Sequence, residues 1–186
     1  MHILAIPGSL RAASINAAFC RAAARLAPAD VRIVLYDQLG ELPLFNPDRE
    51  AALPAPVHHW RQAVRRAEAL LIASPEYAHG VSGVMKNALD WLVSDETFVG
   101  KSVALVNTSP RARHAYDALL ETLRTMSATI VEGASLSIPL LGSCPDESAI
   151  MACPEASARI RLLAVALRAH LLDAAEPGPH ARLDAS

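Results

Sequence analysis

The chain has 186 residues, is 52% hydrophobic and 19% charged, and carries a formal net charge of −2. It is long enough for one domain with a full apolar core and too apolar for a disordered chain. Its charge balance lacks the basic surplus typical of nucleic-acid binding, so no nucleic-acid partner is expected.

The apolar run His2–Ile6 reads as a first strand, buried on both faces as central parallel strands are. Pro7-Gly8 ends it too soon for a signal-peptide core or a membrane span. Cys20, Cys144 and Cys153 form no CxxC pair, which favours free thiols in a reducing compartment. A soluble, cytoplasmic protein with no membrane partner is therefore expected. A first helix begins near Ser14 or Ile15 and buries Ile15, Ala18, Phe19, Ala22, Ala23 and Leu26 at three–four spacing. Asp30–Tyr36 is a second strand. Residues 37–56 hold Pro43, Pro47, Pro54 and Pro56 and read as a long irregular loop, functional or at an oligomer contact.

Val57, Trp60, Val64 and Ala67 mark a second helix, with His58 and His59 on the surface ahead of it. Ala69–Ala73 is a third strand, and Val81, Met85, Ala88, Leu89 and Leu92 mark the helix that follows. Ser102–Asn107 is a fourth strand, followed by a helix marked by Ala112, Ala115, Leu119, Leu120, Leu123 and Met126. Thr129–Val131, with or without Leu136–Ile138, forms a fifth strand. Ile160, Leu163, Ala164, Leu167 and Leu171 mark a closing helix. The tail 176–186, with Pro177, Gly178 and Pro179, is expected to be disordered. Trp60 and Trp91 are assigned to the core or an interface.

Regular alternation of strand and helix, with no repeat and no linker, argues for a parallel sheet covered by helices on both faces. Right-handed crossovers leave few topologies. The expected fold is α/β, a flavodoxin-like three-layer sandwich over residues 1–175 with a five-stranded sheet of order 2-1-3-4-5. Its switch point lies between strands one and three, where such sheets bind ligands.

The two most informative loops follow those two strands. In the first, Gly8 permits a tight turn, Ser9, Ser14 and Asn16 supply donors, and Arg11 offers a planar fork suited to phosphate oxygens. Ser14 can cap the first helix, whose N-terminal amides then face the anion. In the second, Pro75 fixes the turn and Glu76-Tyr77-Ala78 offers backbone amides and one aromatic ring to a flat heterocycle. Gly80 and Gly83 allow close approach of a ring or a partner chain. Lys86 and Asp90 read as an exposed i,i+4 pair, and Asn87 as a brace for this loop.

Gly8-Ser9-Leu10-Arg11-x-x-Ser14-x-Asn16, followed by Pro75-Glu76-Tyr77 and Lys86-Asn87-Ala88-Leu89-Asp90-Trp91, resembles the NAD(P)H-dependent FMN reductase family. That family includes small flavodoxin-like quinone, chromate and azo-dye reductases, and the resemblance runs over roughly Met1–Leu172. It implies bound FMN, with NADPH or NADH as co-substrate. By resemblance, Ser9, Arg11, Ser14, Ile15 and Asn16 hold the phosphate, and Pro75, Glu76, Tyr77 and Ala78 line the isoalloxazine. Thr108-Ser109-Pro110-Arg111 matches a third flavin loop, with Ser109 as its contact. No side chain is assigned a catalytic role, and no metal is expected. The chain departs from the family pattern at Ala78, where many members carry Asn, and at Ser82-Gly83, where many carry Pro-Gly. A third departure is the glycine-poor stretch Pro110-Arg111-Ala112-Arg113-His114. Arg111, Arg113 and His114 are candidates for the extra phosphate of NADPH.

The implied activity moves a hydride from NAD(P)H through FMN to a quinone, flavin, azo or metal-oxyanion acceptor by ping-pong turnover. A homodimer or homotetramer is expected, with contacts at Gly80–Met85 and residues 37–56. Two other readings stay open: a flavodoxin-type electron carrier, for which the surface is not acidic enough, and a flavin-binding regulator without turnover.

Overall fold

The structure, a computed structural model, describes residues 1–109, 111, 113–140, 142–144 and 146–175. Pro110 and Ala112 of the third loop and the expected disordered tail 176–186 lie outside the described residues.

The strands are β1 (His2–Pro7), β2 (Arg32–Leu35), β3 (Ala69–Ala73), β4 (Glu76–Tyr77), β5 (Gly80–Val81), β6 (Ser102–Asn107), β7 (Thr129–Ile130) and β8 (Leu136–Ser137). The helices are α1 (Ile15–Leu26), α2 (Ala55–Arg66), α3 (Gly83–Asp90), α4 (Arg113–Thr125), α5 (Glu147–Ala152) and α6 (Pro154–Ala175). The main sheet runs β2-β1-β3-β6-β7, with β8 also paired to β6. All its pairings are parallel. This is the expected flavodoxin-like order.

Side-chain alternation along each strand sends residues to opposite layers. Ile3 and Ala5 of β1, Ala69, Leu71 and Ala73 of β3, and Ala104 and Val106 of β6 pack with α1, α5 and α6. Leu4 and Ile6, Leu70 and Ile72, and Val103 and Leu105 pack with α2, α3 and α4. The first layer is alanine-rich at the strand surface, which lets Phe19 of α1, fully buried, sit close to the sheet. Trp60, Trp91 and Phe98 fill the second layer. Both indoles are buried with their N–H groups satisfied: Trp60 Nε1 donates to Ala88 O and Trp91 Nε1 to Pro43 O, each at 2.8 Å.

Several elements differ from the sequence expectation. The fifth strand is split by a 3-10 turn at Glu132–Ala134, which drops Ala134 into the core. The ladder is kept by Val131 N to Val103 O at 2.9 Å and Ile138 N to Asn107 O at 2.8 Å. The helix after the third strand starts at Gly83 rather than Val81, because Val81 pairs with Glu76 in a short antiparallel hairpin and Ser82 caps the helix. His58 and His59 lie inside α2, not ahead of it, since Pro56 sits in the first turn and starts the helix at Ala55. Helix α5, capped by Asp146, is an addition.

Asn87 braces a different loop from the one expected. Its Oδ1 accepts from Phe45 N at 2.8 Å and its Nδ2 donates to Pro43 O at 3.0 Å, so it holds the 37–56 segment. That segment is less irregular than expected, with 3-10 turns at Leu39–Glu41 and Pro47–Ala52. The Lys86–Asp90 ion pair forms as expected. Among the described residues no helix is long and apolar enough to cross a membrane.

Candidate functional site

Three loops leave the carboxyl ends of β1, β3 and β6 and enclose a cleft of about 550 Å³ at the switch point of the sheet. Gly142, with φ +91°, closes one side from beyond β8.

The first loop is drawn tightly against the sheet. Gly8 N donates to Ala73 O at 2.8 Å, continuing the ladder past the end of β1. A Cβ on Gly8 would stand 2.5 Å from Ser74 Oγ and 2.8 Å from Ser74 Cβ, so only glycine fits. Ser14 caps α1, its Oγ accepting from Ala17 N at 3.2 Å. No acidic residue occupies the first turn of this 12-residue helix, so its amide end presents uncompensated positive potential. Arg11 is exposed at the same end and has no ion pair among the described residues.

The second loop is the β4–β5 hairpin. Its tip residues Ala78 and His79 have φ of +50° and +60°, the sense of a two-residue type I′ turn. Glu76 anchors it: Oε2 accepts from Ala115 N of α4 at 2.9 Å, and Oε1 lies 3.1 Å from His79 Nδ1. The His79 ring meets His114 edge-on, with centroids 4.6 Å apart. The Ala115 amide, then the His79 hydrogen bond and the nearby His114 and His79 charges, hold the Glu76 carboxyl below its usual value. Across the cleft, Ser9 Oγ and Tyr77 OH approach to 3.4 Å.

The loops are tied to one another. Ser82 Oγ donates to Gly8 O at 2.6 Å, joining the hairpin to the first loop. Thr108 Oγ1 donates to Asn16 Oδ1 at 2.8 Å, joining the third loop to α1. Glu76 joins the hairpin to α4. Within the third loop, Asn107 Oδ1 accepts from Ser109 N at 3.0 Å. Such cross-ties fix the cleft before any ligand arrives.

Of the residues picked from sequence, Ser9, Arg11, Ser14, Ile15, Asn16, Pro75, Glu76, Tyr77 and Ser109 line this cleft. Ala78 does not; it stands exposed at the hairpin tip. Of the three candidates for a second phosphate, Arg111 lines the cleft, while Arg113 and His114 do not. Thr108 of the matched third loop also lines it, beside the expected contact Ser109, and so do Ala13, Ser74 and Gly142, to which the sequence assigns no role. Ser74 directly follows a strand end, a position that could have flagged it. Gly142 reaches the cleft only through tertiary packing.

Cys20 and Cys144 are not poised nucleophiles: burial pushes the Cys20 thiol up to about 12 and also raises Cys144. Among the described residues no cluster of three or more His, Cys, Asp or Glu could hold a metal ion.

The fold and the switch-point cleft define a flavodoxin-like α/β protein whose site is suited to an anionic ligand at the α1 end. A family model described as NADPH-dependent FMN reductase matches residues 1–140, and the chain belongs to that family. It is 41% identical over 112 residues to an NAD(P)H-dependent FMN reductase from Pseudomonas aeruginosa, covering 59% of this chain and 60% of that protein. A quinone reductase from Escherichia coli is 34% identical over 113 residues, covering 59% of this chain and 60% of its own. A 2-hydroxy-1,4-benzoquinone reductase from Burkholderia sp is 37% identical over 112 residues, covering 59% and 61%. The matched region thus spans about 60% of these relatives' length.

Among solved structures, FerB, a flavoenzyme NAD(P)H:(acceptor) oxidoreductase from Paracoccus denitrificans, superposes with a TM-score of 0.69 at 23% identity. That superposition covers 91% of this chain and 98% of FerB. An NADH:FMN oxidoreductase in its apo form gives a TM-score of 0.62 at 22% identity, over 99% of both chains. These two structures establish the shared fold.

Proposed function

We propose that residues 1–175 act as one FMN-binding domain of an NAD(P)H-dependent oxidoreductase. The observation that carries this reading is the chemical split of one cleft. One end offers Ser9, Arg11, Ser14 and the acid-free amide end of α1; the other offers Pro75, Tyr77 and a hairpin edge. That donor set fits a phosphate at one end and a flat ring at the other, and the volume suits a cofactor.

In this reading Ser9, Arg11, Ser14, Ile15 and Asn16 hold the phosphate, with Arg11 supplying the charged fork. Pro75, Glu76 and Tyr77 border the isoalloxazine, Ala78 turns the hairpin that carries them, and Ser109 closes the third side. FMN held by these residues would supply the redox chemistry of hydride transfer from NAD(P)H to an acceptor. The chain itself positions: its cross-ties hold the three loops at fixed separation, and backbone donors stabilise negative charge without titrating. No side chain is assigned a proton-transfer role.

The acceptor is a quinone, a free flavin, an azo compound or a metal oxyanion. The quinone reductases among the relatives support the first of these. An acceptor that enters the same cleft after the oxidised nicotinamide has left would give ping-pong turnover, read as parallel double-reciprocal lines. Arg111, at the rim of the cleft, is the residue for the extra phosphate of NADPH. The three cysteines are unbridged, which fits cytoplasmic residence. Exposed Leu10 and Tyr77, beside the Gly80–Met85 segment, suit the contact of a homodimer or homotetramer.

The deciding experiment is an absorbance spectrum of purified protein, followed through anaerobic addition of NADPH. Flavin bands that bleach promptly support the reductase. Flavin bands that persist overturn it in favour of a carrier or regulator. A colourless protein that takes up no added FMN overturns the cofactor assignment.

A further inference from the structure

Helix α6 is apolar on two opposite faces. Its inner face buries Ala156, Ile160, Leu163, Ala164 and Leu167 against the sheet. Its outer face carries Ala158, Leu162, Val165, Ala169 and Leu172, all exposed. Leu162 is 67% exposed, Val165 51% and Leu172 43%. Single exposed apolar residues are ordinary. These five follow one another at spacings of four, three, four and three, the heptad seam of a two-helix contact.

The charges flanking this seam differ between its two sides. On one side, Arg161 Nη1 donates to Leu26 O at 3.3 Å, and Arg168 Nε is paired with Asp30 at 2.6 Å. Both are engaged within the chain. On the other side, Arg159 and Asp173 have no hydrogen bond or ion pair among the described residues. They stand two heptads apart, about 21 Å along the helix, and cannot reach each other.

We infer that a second copy of this chain docks antiparallel along the outer face of α6. About a two-fold axis that crosses the outer face at the level of position 167, between Val165 and Ala169, Leu162 of one copy faces Leu172 of the other, and Val165 faces Ala169. Large meets large at the ends of the seam, and the smaller pairs meet at its centre. Arg159 of each copy then meets Asp173 of the other, so both free charges are neutralised twice over by symmetry. A parallel pair leaves Arg159 beside Pro154 and unpaired. The self-complementary register selects the same chain as occupant. This contact is separate from the cleft, which α6 does not line.

The test is the mass of the full chain in solution across a concentration series, by sedimentation or light scattering. Wild type is expected to self-associate, and Leu162→Glu with Val165→Glu is expected to halve the assembled mass. Arg159→Glu and Asp173→Arg should each weaken association about tenfold, from loss and reversal of two exposed ion pairs. Combining the two reversals should restore it, which only the antiparallel register allows. A wild-type monomer at every concentration overturns the proposal. So does an assembly unchanged by the two glutamates, or a double reversal that fails to rescue. Circular dichroism and FMN uptake verify that each variant is folded with an intact cleft. The charge-reversal arm stands by itself should the glutamate variant fail to fold.

Discussion

The loop after β1 and the hairpin after β3 face each other across one cleft, yet different physics holds them. The first is an extension of the core: Gly8 continues the sheet ladder, Ser14 caps a helix whose other face is buried, and no side chain could replace the glycine hydrogen. The hairpin hangs from side-chain contacts. It has two residues per strand, two non-glycine residues at positive φ, and a carboxylate anchor to α4. The difference is a division of labour: the end assigned to the phosphate is held by the sheet backbone and a helix start, and the end assigned to the ring is held in place by side-chain ties.

The harshest way to break the end held by the sheet is Gly8→Ala. The new methyl meets Ser74 Cβ, which no rotamer change can move aside. A stability loss of about 1–3 kcal/mol is expected, with loss of FMN uptake, measured by denaturant unfolding and flavin titration. Arg11→Ala separates binding from folding at the same end. It should raise the FMN dissociation constant about 10- to 100-fold, as for other charged hydrogen bonds, and leave the unfolding midpoint in place. A smaller effect is expected at the rim, where Arg111→Ala should cut the preference for NADPH over NADH about tenfold in kcat/KM; an unchanged preference refutes that role.

These residues were within reach of the sequence because their signals are local. Apolar runs at 3–6, 69–73 and 102–107 announce buried strands, and their alternation with helical spacing gives the sheet order. Gly8, Arg11 and Ser14 act close to where they stand in the chain. The hairpin was hidden because two-residue strands have no period and Ala78-His79 lacks the glycine or asparagine that marks a type I′ turn. Asn87 was misassigned because its partners, Pro43 and Phe45, are 44 and 42 residues away. Gly142 and the cross-tie of Asn16 to Thr108 depend on packing that no short window contains.

The end held by side-chain ties can be sharpened by pH. Glu76 has its folded value held below the ordinary 4.5, first by the Ala115 amide. Its carboxylate therefore stabilises the native hairpin above about pH 4.5, and that contribution is lost as pH falls through the lower, folded value. FMN affinity should weaken several-fold across that acid window in wild type. In Glu76→Gln it should already be weaker at neutral pH and should show no such drop, as fluorescence titration at each pH would reveal. The smallest effect is expected at Ala78, held at φ +50°. Asparagine tolerates that region better, so Ala78→Asn should add about 1 kcal/mol. This corresponds to about 2–4 °C in Tm by differential scanning calorimetry. A lowered Tm would mean that the backbone there is not strained.

The placement of the two indoles has an optical consequence. Trp60 and Trp91 are 1% and 0% exposed, both in the layer of α2 and α3, and neither lines the cleft. Their emission therefore reports the integrity of that layer, while flavin fluorescence reports release from the cleft. Recorded together through one denaturant titration, the two signals give separate midpoints wherever the loops let go before the core does. The chain thus carries an internal clock for the order in which its own parts come undone.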